Sequence, residues 1–205
     1  LLTIAVSVPL GIISAVKRNK AADYIIRLCS FMGNSMPNFF AAVVLIALFS
    51  VKLHLLPAVT GNSLAIGLIL PTLTLTISMA AKYTRQIRAA VLEEMQKDYV
   101  MGARARGVRE RVIVVKSVLR TAMLTIITLI GMSVGSLLGG TAIVETIFMW
   151  DGLGKLAVDS ITMRDYPVVQ AFVVWMAIIY MLINLAADII YHVLDPRVRL
   201  GGDEA

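Results

Sequence analysis

The residue types that most often carry chemistry are scarce and scattered in this 205-residue chain. Its two histidines, His54 and His192, fall in a predicted loop and near a predicted helix end, and Cys29 is its single cysteine. A transition-metal site needs several clustered His, Cys or carboxylate ligands. The run GLGKLAV at 152–158 lacks the G-x-x-x-x-G-K-[ST] pattern of a phosphate loop. We therefore expect no catalytic residue, no metal site and no cofactor on this chain.

Composition places the chain among membrane proteins. Apolar residues make up 59% of it and charged residues 16%, whereas soluble domains carry about a quarter charged residues. Five apolar segments, at 1–16, 28–51, 64–81, 121–144 and 168–193, are predicted to be helices. All but the first are long enough to cross about 30 Å of hydrocarbon. Pro37 and Pro71 are tolerated in this prediction, because neighbouring helices can satisfy the backbone groups that a proline frees.

The distribution of lysine and arginine predicts the orientation. The first loop holds four basic residues, the second one, the third ten, and the fourth two against four acidic residues. Loops rich in Lys and Arg stay in the cytoplasm. The first and third loops and the C-terminus are therefore predicted to be cytoplasmic, and residue 1 begins outside. One more span before residue 1 would make six. The net charge of +6 fits this topology, and no nucleic acid is expected.

The third loop, 82–120, holds the most informative pattern. Ile87, Val91 and Met95 recur every fourth residue, as one helical face requires. Gly102 and Gly107 bracket a short basic stretch and could end a helix there. An alternative interpretation is a solvated basic loop that is held to anionic lipid headgroups.

The sequence DYVMGARARGV, followed by VLRTA, resembles the cytoplasmic coupling loop of binding-protein-dependent ABC permeases of the peptide/nickel branch. That branch typically has D-Y-V, two variable residues, A-R-A-K-G and later L-R-N-A. Arg106 and Thr121 replace the common Lys and Asn, and Met101 and Gly102 depart from the wider superfamily. The resemblance implies a short helix that docks on an ATPase. Its coupling residues would be Glu94, Asp98, Tyr99, Ala103, Arg104 and Gly107.

The fourth loop resembles the same branch. IVETIFMWDGLGKLAVDSITMRDYPVVQ matches E-x-I-F-x-W-P-G-x-G, then an apolar helix, then R-D-Y-P, with Asp151 in place of Pro. Asp151 is predicted to cap the start of that helix. One face of the helix is predicted to consist of Leu153, Leu156, Ala157, Ser160 and Ile161. The segment is predicted to lie at the outer mouth of the pathway, although a plain amphipathic connector is the alternative. The gate residues would be Trp150, Gly152, Gly154, Asp165 and Tyr166. The ending LDPRVRL at 194–200 also matches the branch.

Polar and small residues inside the spans are candidates for the pathway, because they should face protein or water rather than lipid. Hydrogen bonding and packing between helices are the alternatives. The candidates are Asn34, Ser35, Pro37, Asn38, Thr72, Thr76, Gly131, Gly135 and Gly139. Asn184 and Asp188 share a face of the last span, where Asp188 can reach the interface.

The resemblance implies an all-α polytopic bundle of the type I importer permease fold. It would form a single transmembrane domain, 1–205, with the coupling loop 82–120 inside it. It implies two ABC ATPase subunits that bind ATP, a second permease (a homologue or a copy), an extracytoplasmic solute-binding protein and a bacterial inner membrane. S-M-P-N-F at 35–39 is similar to nickel permeases, so nickel or a nickel chelate is the expected cargo and a di- or oligopeptide the alternative. A secondary transporter is a distant alternative, because it would need charged residues near mid-membrane.

Overall fold

The computed structural model describes residues 1–59, 64–123, 126–127, 131, 137 and 141–194, and every regular element in these ranges is a helix. The α-helices are α1 (Leu2–Val16), α2 (Ala21–Ser35), α3 (Asn38–Leu45), α4 (Leu64–Gly67), α5 (Ile69–Met95), α6 (Asp98–Ala105), α7 (Glu110–Val112), α8 (Ala142–Ile147), α9 (Leu153–Met163) and α10 (Tyr166–Leu194). A π-helical turn extends α3 over Ile46–Lys52, and a second one extends α7 over Ile113–Val118.

Helix α5 is the central element, and it packs against α1, α2, α3 and α8. The predicted stripe of Ile87, Val91 and Met95 is confirmed, because the first two are buried and Met95 packs against them. Helix α1 comes close at this level, where a Cβ on Gly11 would lie 2.7 Å from Ile87 Cγ2. Two apolar clusters result. The large cluster contains Ala15, Tyr83, Ile87, Val91, Val100, Ala103, Ile113, Val118, Ala122 and Ile126. The small cluster contains Ala42, Leu70, Val144 and Phe148.

The prediction of one continuous span over 28–51 is wrong. Helix α2 ends at Ser35, and the α3 segment leaves it at 102°. Met36 and Pro37 adopt extended conformations, with ψ of 121° and 143°. A proline ring excludes the helical conformation from the residue before it and clashes with the preceding turn. Pro71 lies in the first turn of α5, where its missing N–H would be unpaired in any case, and that helix continues.

The predicted third span is also longer than expected. Helix α5 runs past Ala81 to Met95, so the first part of the predicted loop 82–120 continues the helix that was predicted over 64–81. The helix predicted for the fifth span is confirmed, because α10 covers 168–193. Within α10, residues Tyr166–Ala186 are long and apolar enough to cross a membrane, with a mean hydropathy of 2.2. The bent α2–α3 pair passes the same test of length and composition, and α1 is a shorter apolar helix. Most of the predicted fourth span lies outside the described residues.

Candidate functional site

Helix α6 is a short helix that is clamped on one side and open on the other. Val100 and Ala103 are buried in the large cluster, beside Val91 and Val118. Because they are three residues apart, they lie on one face of the helix. The chain therefore holds α6 against the end of α5 and the π-helical turn after α7.

The remaining surface of α6 is exposed and carries three of the six predicted coupling residues. Tyr99 is 40% exposed and Met101 54% exposed. Asp98 and Arg104 are also exposed. Of the predicted residues, Ala103 points inward and Glu94 is buried below the helix. The exposed surface includes Tyr99, Met101 and Arg104, and tyrosine, methionine and arginine are enriched at protein interfaces.

Gly102 and Gly107 were both predicted to end a helix, and only Gly107 does so. Gly107 follows α6 with φ of +75°, a conformation that glycine adopts without strain, so the prediction that it ends a helix is confirmed. Gly102 lies inside α6, so the prediction that it ends a helix is wrong. A Cβ at Gly102 would meet only Arg106 Nη1, at 3.9 Å. Gly107 is therefore explained by its backbone conformation, whereas Gly102 faces open space.

Glu94 fixes the junction between α5 and α6. Its carboxylate accepts hydrogen bonds from Lys97 Nζ and from Tyr99 Oη, the latter at 3.0 Å. Burial and then the bond to Glu94 raise the pKa of Tyr99, so the phenol stays neutral and donates. The same carboxylate raises the pKa of Lys97. The junction is therefore a charged and hydrogen-bonded corner that sets the direction of α6 relative to α5.

A second ionic contact closes the far end of α6. Arg104 donates from Nε and Nη2 to the Glu110 carboxylate at 3.0 and 2.5 Å. The hydrogen bonds raise the pKa of Arg104 and lower the pKa of Glu110. Both side chains are exposed, so the pair contributes little stability. It orients Arg104 along the surface between α6 and α7.

A buried ion pair joins α2 to α5, and it was not predicted from the sequence. Asp23 accepts hydrogen bonds from both Arg88 Nε and Nη2, from Ser14 Oγ at 2.6 Å and from the Asn19 backbone N–H at 2.9 Å. These partners, Arg88 first, hold the pKa of Asp23 well below its usual range. Asp23 is the only acidic residue before Glu93, which is a signal that the sequence offered. The pair ties α1 and α2 to the helix that leads into α6.

In the fourth-loop segment, Glu145 takes the role that had been predicted for Asp151. Glu145 accepts from Thr141 Oγ1 at 2.6 Å and from the backbone N–H of Lys155 at 2.8 Å, and it thereby caps α9. Asp151 instead pairs with Lys155 Nζ at 2.7 Å, so its predicted capping role is wrong. The carboxylate reaches the first turn of α9 because nothing extends from Gly152, where a Cβ would clash with it.

Close packing explains the second glycine of this segment. A Cβ on Gly154 would lie 2.7 Å from Ala142 Cα, so α9 contacts α8 backbone to backbone. Of the predicted face of α9, Leu153, Leu156 and Ile161 are exposed. Ala157 is half-buried and Ser160 is buried, so the predicted face is only partly exposed. The other predicted gate residues are a half-buried Trp150 and an exposed Asp165 and Tyr166. Asp165 and Tyr166 stand at the start of α10.

The predicted pathway residues do not share one environment. Asn38 accepts a hydrogen bond from Ser78 Oγ between α3 and α5. Thr76 is buried and Thr72 is exposed, although they are one turn apart. Asn34, Ser35 and Pro37 are exposed at the bend, and Gly131 is half-buried. Gly135, Gly139, the Asp188 side chain and residues 195–200 lie outside the described part. Within that part, no three His, Cys, Asp or Glu side chains lie together as metal ligands would.

A family model described as "Binding-protein-dependent transport system inner membrane component" matches residues 7–200. The chain is 44% identical over 190 residues to the glutathione transport system permease protein GsiC of Pectobacterium atrosepticum, covering 93% of this chain and 62% of that protein. It is 43% identical over 189 residues to GsiC of Escherichia coli strain K12, covering 92% and 61%. The chain thus spans about three fifths of the length of these relatives.

The fold also matches a solved structure. A chain from inward-facing conformations of the MetNI methionine ABC transporter superposes with a TM-score of 0.74 at 20% identity, covering 95% of this chain and 88% of the other. At this identity the match shows the fold alone. It confirms the predicted all-α architecture of the type I importer permease class.

Proposed function

The chain belongs to the family of binding-protein-dependent transport system inner membrane components, and from that premise we propose that it is the membrane permease of an ATP-driven importer of small peptides of the glutathione class. The observation that carries the proposal is the identity of 43–44% with glutathione permeases across more than nine tenths of the chain. The exposed face of α6 supports the permease role, because it offers a partner a surface that the rest of the chain holds rigidly.

The comparisons favour peptide cargo over the nickel that residues 35–39 suggested. That expectation rested on a few positions, and the fold accounts for two of them. Pro37 makes the bend between α2 and α3, and Asn38 bonds to Ser78 across to α5. A structural role for these residues leaves the nickel expectation with little support. The whole-chain similarity, by contrast, samples every element of the fold.

In the proposed mechanism, α5 transmits movement from one of its ends to the other. A helix of 27 residues is roughly 40 Å long, so it joins α6 at one end to the small cluster at the other. At the first end, Glu94 and Val100 couple α6 to α5. At the other, Leu70 packs with Val144 and Phe148, next to the segment that Glu145 organises. Movement of α6 by an ATPase would therefore reach the fourth-loop segment and switch the pathway between its two open states.

The proposed assembly combines this chain with two ATPases, a second permease and a binding protein. Two ATPases bind and hydrolyse ATP, and α6 and its surroundings dock on them, so this chain is not itself an enzyme. A second permease, a homologue or a copy, completes the pathway in the inner membrane, and an extracytoplasmic binding protein delivers cargo. The exposed apolar faces of α9 and α10 are available to lipid or to the second permease. The pathway residues and the gate residues remain proposals on the same basis.

Uptake in cells tests the cargo. A strain that lacks this gene should lose most uptake of radiolabelled glutathione, and a plasmid copy of the gene should restore it. Uptake of radioactive nickel should not change, and deletion of an unrelated permease gene serves as the control. A loss of nickel uptake with normal glutathione uptake would reject the peptide cargo and leave the permease role standing.

A further inference from the structure

A groove of about 510 Å³ runs between α2 and α5, near the loop that joins α1 to α2. The α2 wall consists of four residues at spacings i, i+3, i+4 and i+7, which is one face of a helix. The α5 wall consists of two arginines three residues apart. The lining residues are Tyr24, Arg27, Leu28, Phe31, Arg85 and Arg88. The groove is therefore built by two packed helices and not by a loop.

The groove carries more positive charge than its neighbours neutralise. Arg88 uses Nε and Nη2 on Asp23. Arg27 lies over the Tyr24 ring at 4.6 Å, and its buried Nε, 3.4 Å from Asp23, makes no hydrogen bond to any described residue. In the described ranges no carboxylate pairs with Arg85. Three guanidinium groups against one carboxylate leave an excess of two positive charges.

The apolar lining lies to one side of these charges. Leu28 and Phe31 are 60% and 63% exposed and follow Arg27 within about one helical turn, roughly 6 Å along the axis. Helices α2 and α5 run antiparallel, because Asp23 is beside Arg88 and Gly33 is beside Ala81. Arg27 and Arg85 therefore stand at the same level, with Leu28 and Phe31 further towards the apolar part of α2. A phospholipid has the same order along its length, an anionic phosphate and then acyl chains.

We propose that this groove binds an anionic phospholipid of the cytoplasmic leaflet, with Arg27 and Arg85 on its phosphate and Leu28 and Phe31 along its first acyl carbons. The inference rests on the proposed function, because that function puts this end of α2 at the cytoplasmic surface. The basic first loop points to the same surface. Anionic lipids are attracted to such juxtamembrane cations. The lipid would brace the two helices that Asp23 and Arg88 already join.

Photolabelling of the complete complex in lipid nanodiscs tests the proposal. The probe is phosphatidylglycerol with a diazirine near the head of one acyl chain, present as a trace in phosphatidylcholine. It should label the peptide that contains α2. Each arginine near an anionic surface contributes about a fivefold factor in affinity, so Arg27→Gln/Arg85→Gln should reduce this labelling about 25-fold. Arg85→Gln alone leaves every hydrogen bond of Asp23 in place and should reduce the labelling about fivefold.

Arg18→Gln/Lys20→Gln is the matched control, because it removes the same charge from exposed positions of the loop before α2 that do not line the groove. It should lose far less labelling than the groove variant, and native protein should keep its labelling in millimolar inorganic phosphate. An equal loss in both double variants, or labelling by a phosphatidylcholine probe that is just as strong, would overturn the site. Displacement by inorganic phosphate would also overturn it, in favour of a soluble anion.

The orientation is tested separately. A cysteine at Gln96 in a Cys29→Ser background should react with an impermeant thiol reagent only after the membrane is opened. Reaction from outside intact cells would reject the proposed topology, whatever the lipid probe shows. Normal topology with no labelling of α2 would reject the lipid site alone.

Discussion

Asp23 in α2 and Arg88 in α5, which are 65 residues apart in sequence, form a bidentate ion pair. Its Nε–Oδ1 and Nη2–Oδ2 distances are 2.8 and 3.0 Å. The Asp23 side chain is fully buried and that of Arg88 is 19% exposed. A buried carboxylate that loses its cation stays uncompensated, so the pair restrains the packing of α2 on α5.

Replacement of Asp23 should destabilise the fold strongly. Asp23→Asn leaves Arg88 without a counterion and should lower the free energy of unfolding by about 3 kcal/mol. The control is Asp151→Asn, which breaks an ion pair whose carboxylate is 92% exposed and should change little. Thermal unfolding of the purified complex measures both. Equal shifts for the two variants would show that Asp23 is not a restraint.

The contribution of Asp23 should depend on pH in a defined direction. Its partners lower its pKa in the folded chain, so the stabilisation is fully present above the unfolded value of about 3.9 and is lost as pH falls towards the folded value. The difference in unfolding temperature between native protein and Asp23→Asn should stay constant from neutral pH to about pH 5 and shrink only below about pH 4. A difference that vanishes by pH 6 would contradict the assignment.

The effect of a substitution at Gly107 should depend on how well the new residue tolerates a positive φ, and not on the size of its side chain. Nothing lies within 4 Å of a Cβ at this position, but φ of +75° is costly for a β-branched residue and mild for asparagine. Gly107→Val should therefore displace the end of α6 and reduce recovery of the ATPase with the tagged permease, by a cost of about 1–2 kcal/mol. Gly107→Asn should recover the ATPase normally. Similar losses in both variants would point to a steric contact instead.

Exchanging Arg104 and Glu110 can separate two roles of Arg104, the ion pair within this chain and the proposed contact with the ATPase. Arg104→Glu should reduce recovery of the ATPase, because it puts an acid on the exposed basic stretch. The exchange Arg104→Glu/Glu110→Arg restores the ion pair but moves the cation from α6 to α7. We expect this exchange not to restore ATPase recovery. Full restoration would show that the ion pair, and not the position of the cation, matters.

One substitution at two glycines should have opposite effects on stability. Gly154→Ala places a Cβ against the backbone of Ala142 and should cost about 1–3 kcal/mol through overpacking. Gly102→Ala meets only the flexible end of Arg106, and it should stabilise α6 by up to about 1 kcal/mol through helix propensity. Thermal unfolding measures both. Destabilisation by Gly102→Ala would mean that α6 packs more tightly there than the structure shows.

Local patterns predicted local structure well and tertiary partners poorly. The spacing of Ile87, Val91 and Met95 predicted the buried face of α5, because that face follows from helical geometry alone. Pro37 and Pro71 looked alike in the sequence, but only the position within a helical turn decides whether a proline breaks a helix. Asp151 and Glu145 were both available to cap α9, and the choice depended on how α8 packs on Gly154. Nothing in the sequence spacing links Asp23 to Arg88, since their contact exists only after α2 and α5 pack.

The bend at Pro37 has a consequence for the hydration of the membrane interior. Helix α2 has 15 residues and is roughly 22 Å long, which is shorter than the hydrocarbon layer of about 30 Å. Its last carbonyl groups have no partner within the helix, because the chain turns away at Ser35. Hydrocarbon cannot solvate such groups. Water or a neighbouring protein group must therefore reach the bend. The exposed side chains of Asn34 and Ser35 lie at the bend and can hydrogen-bond to such water.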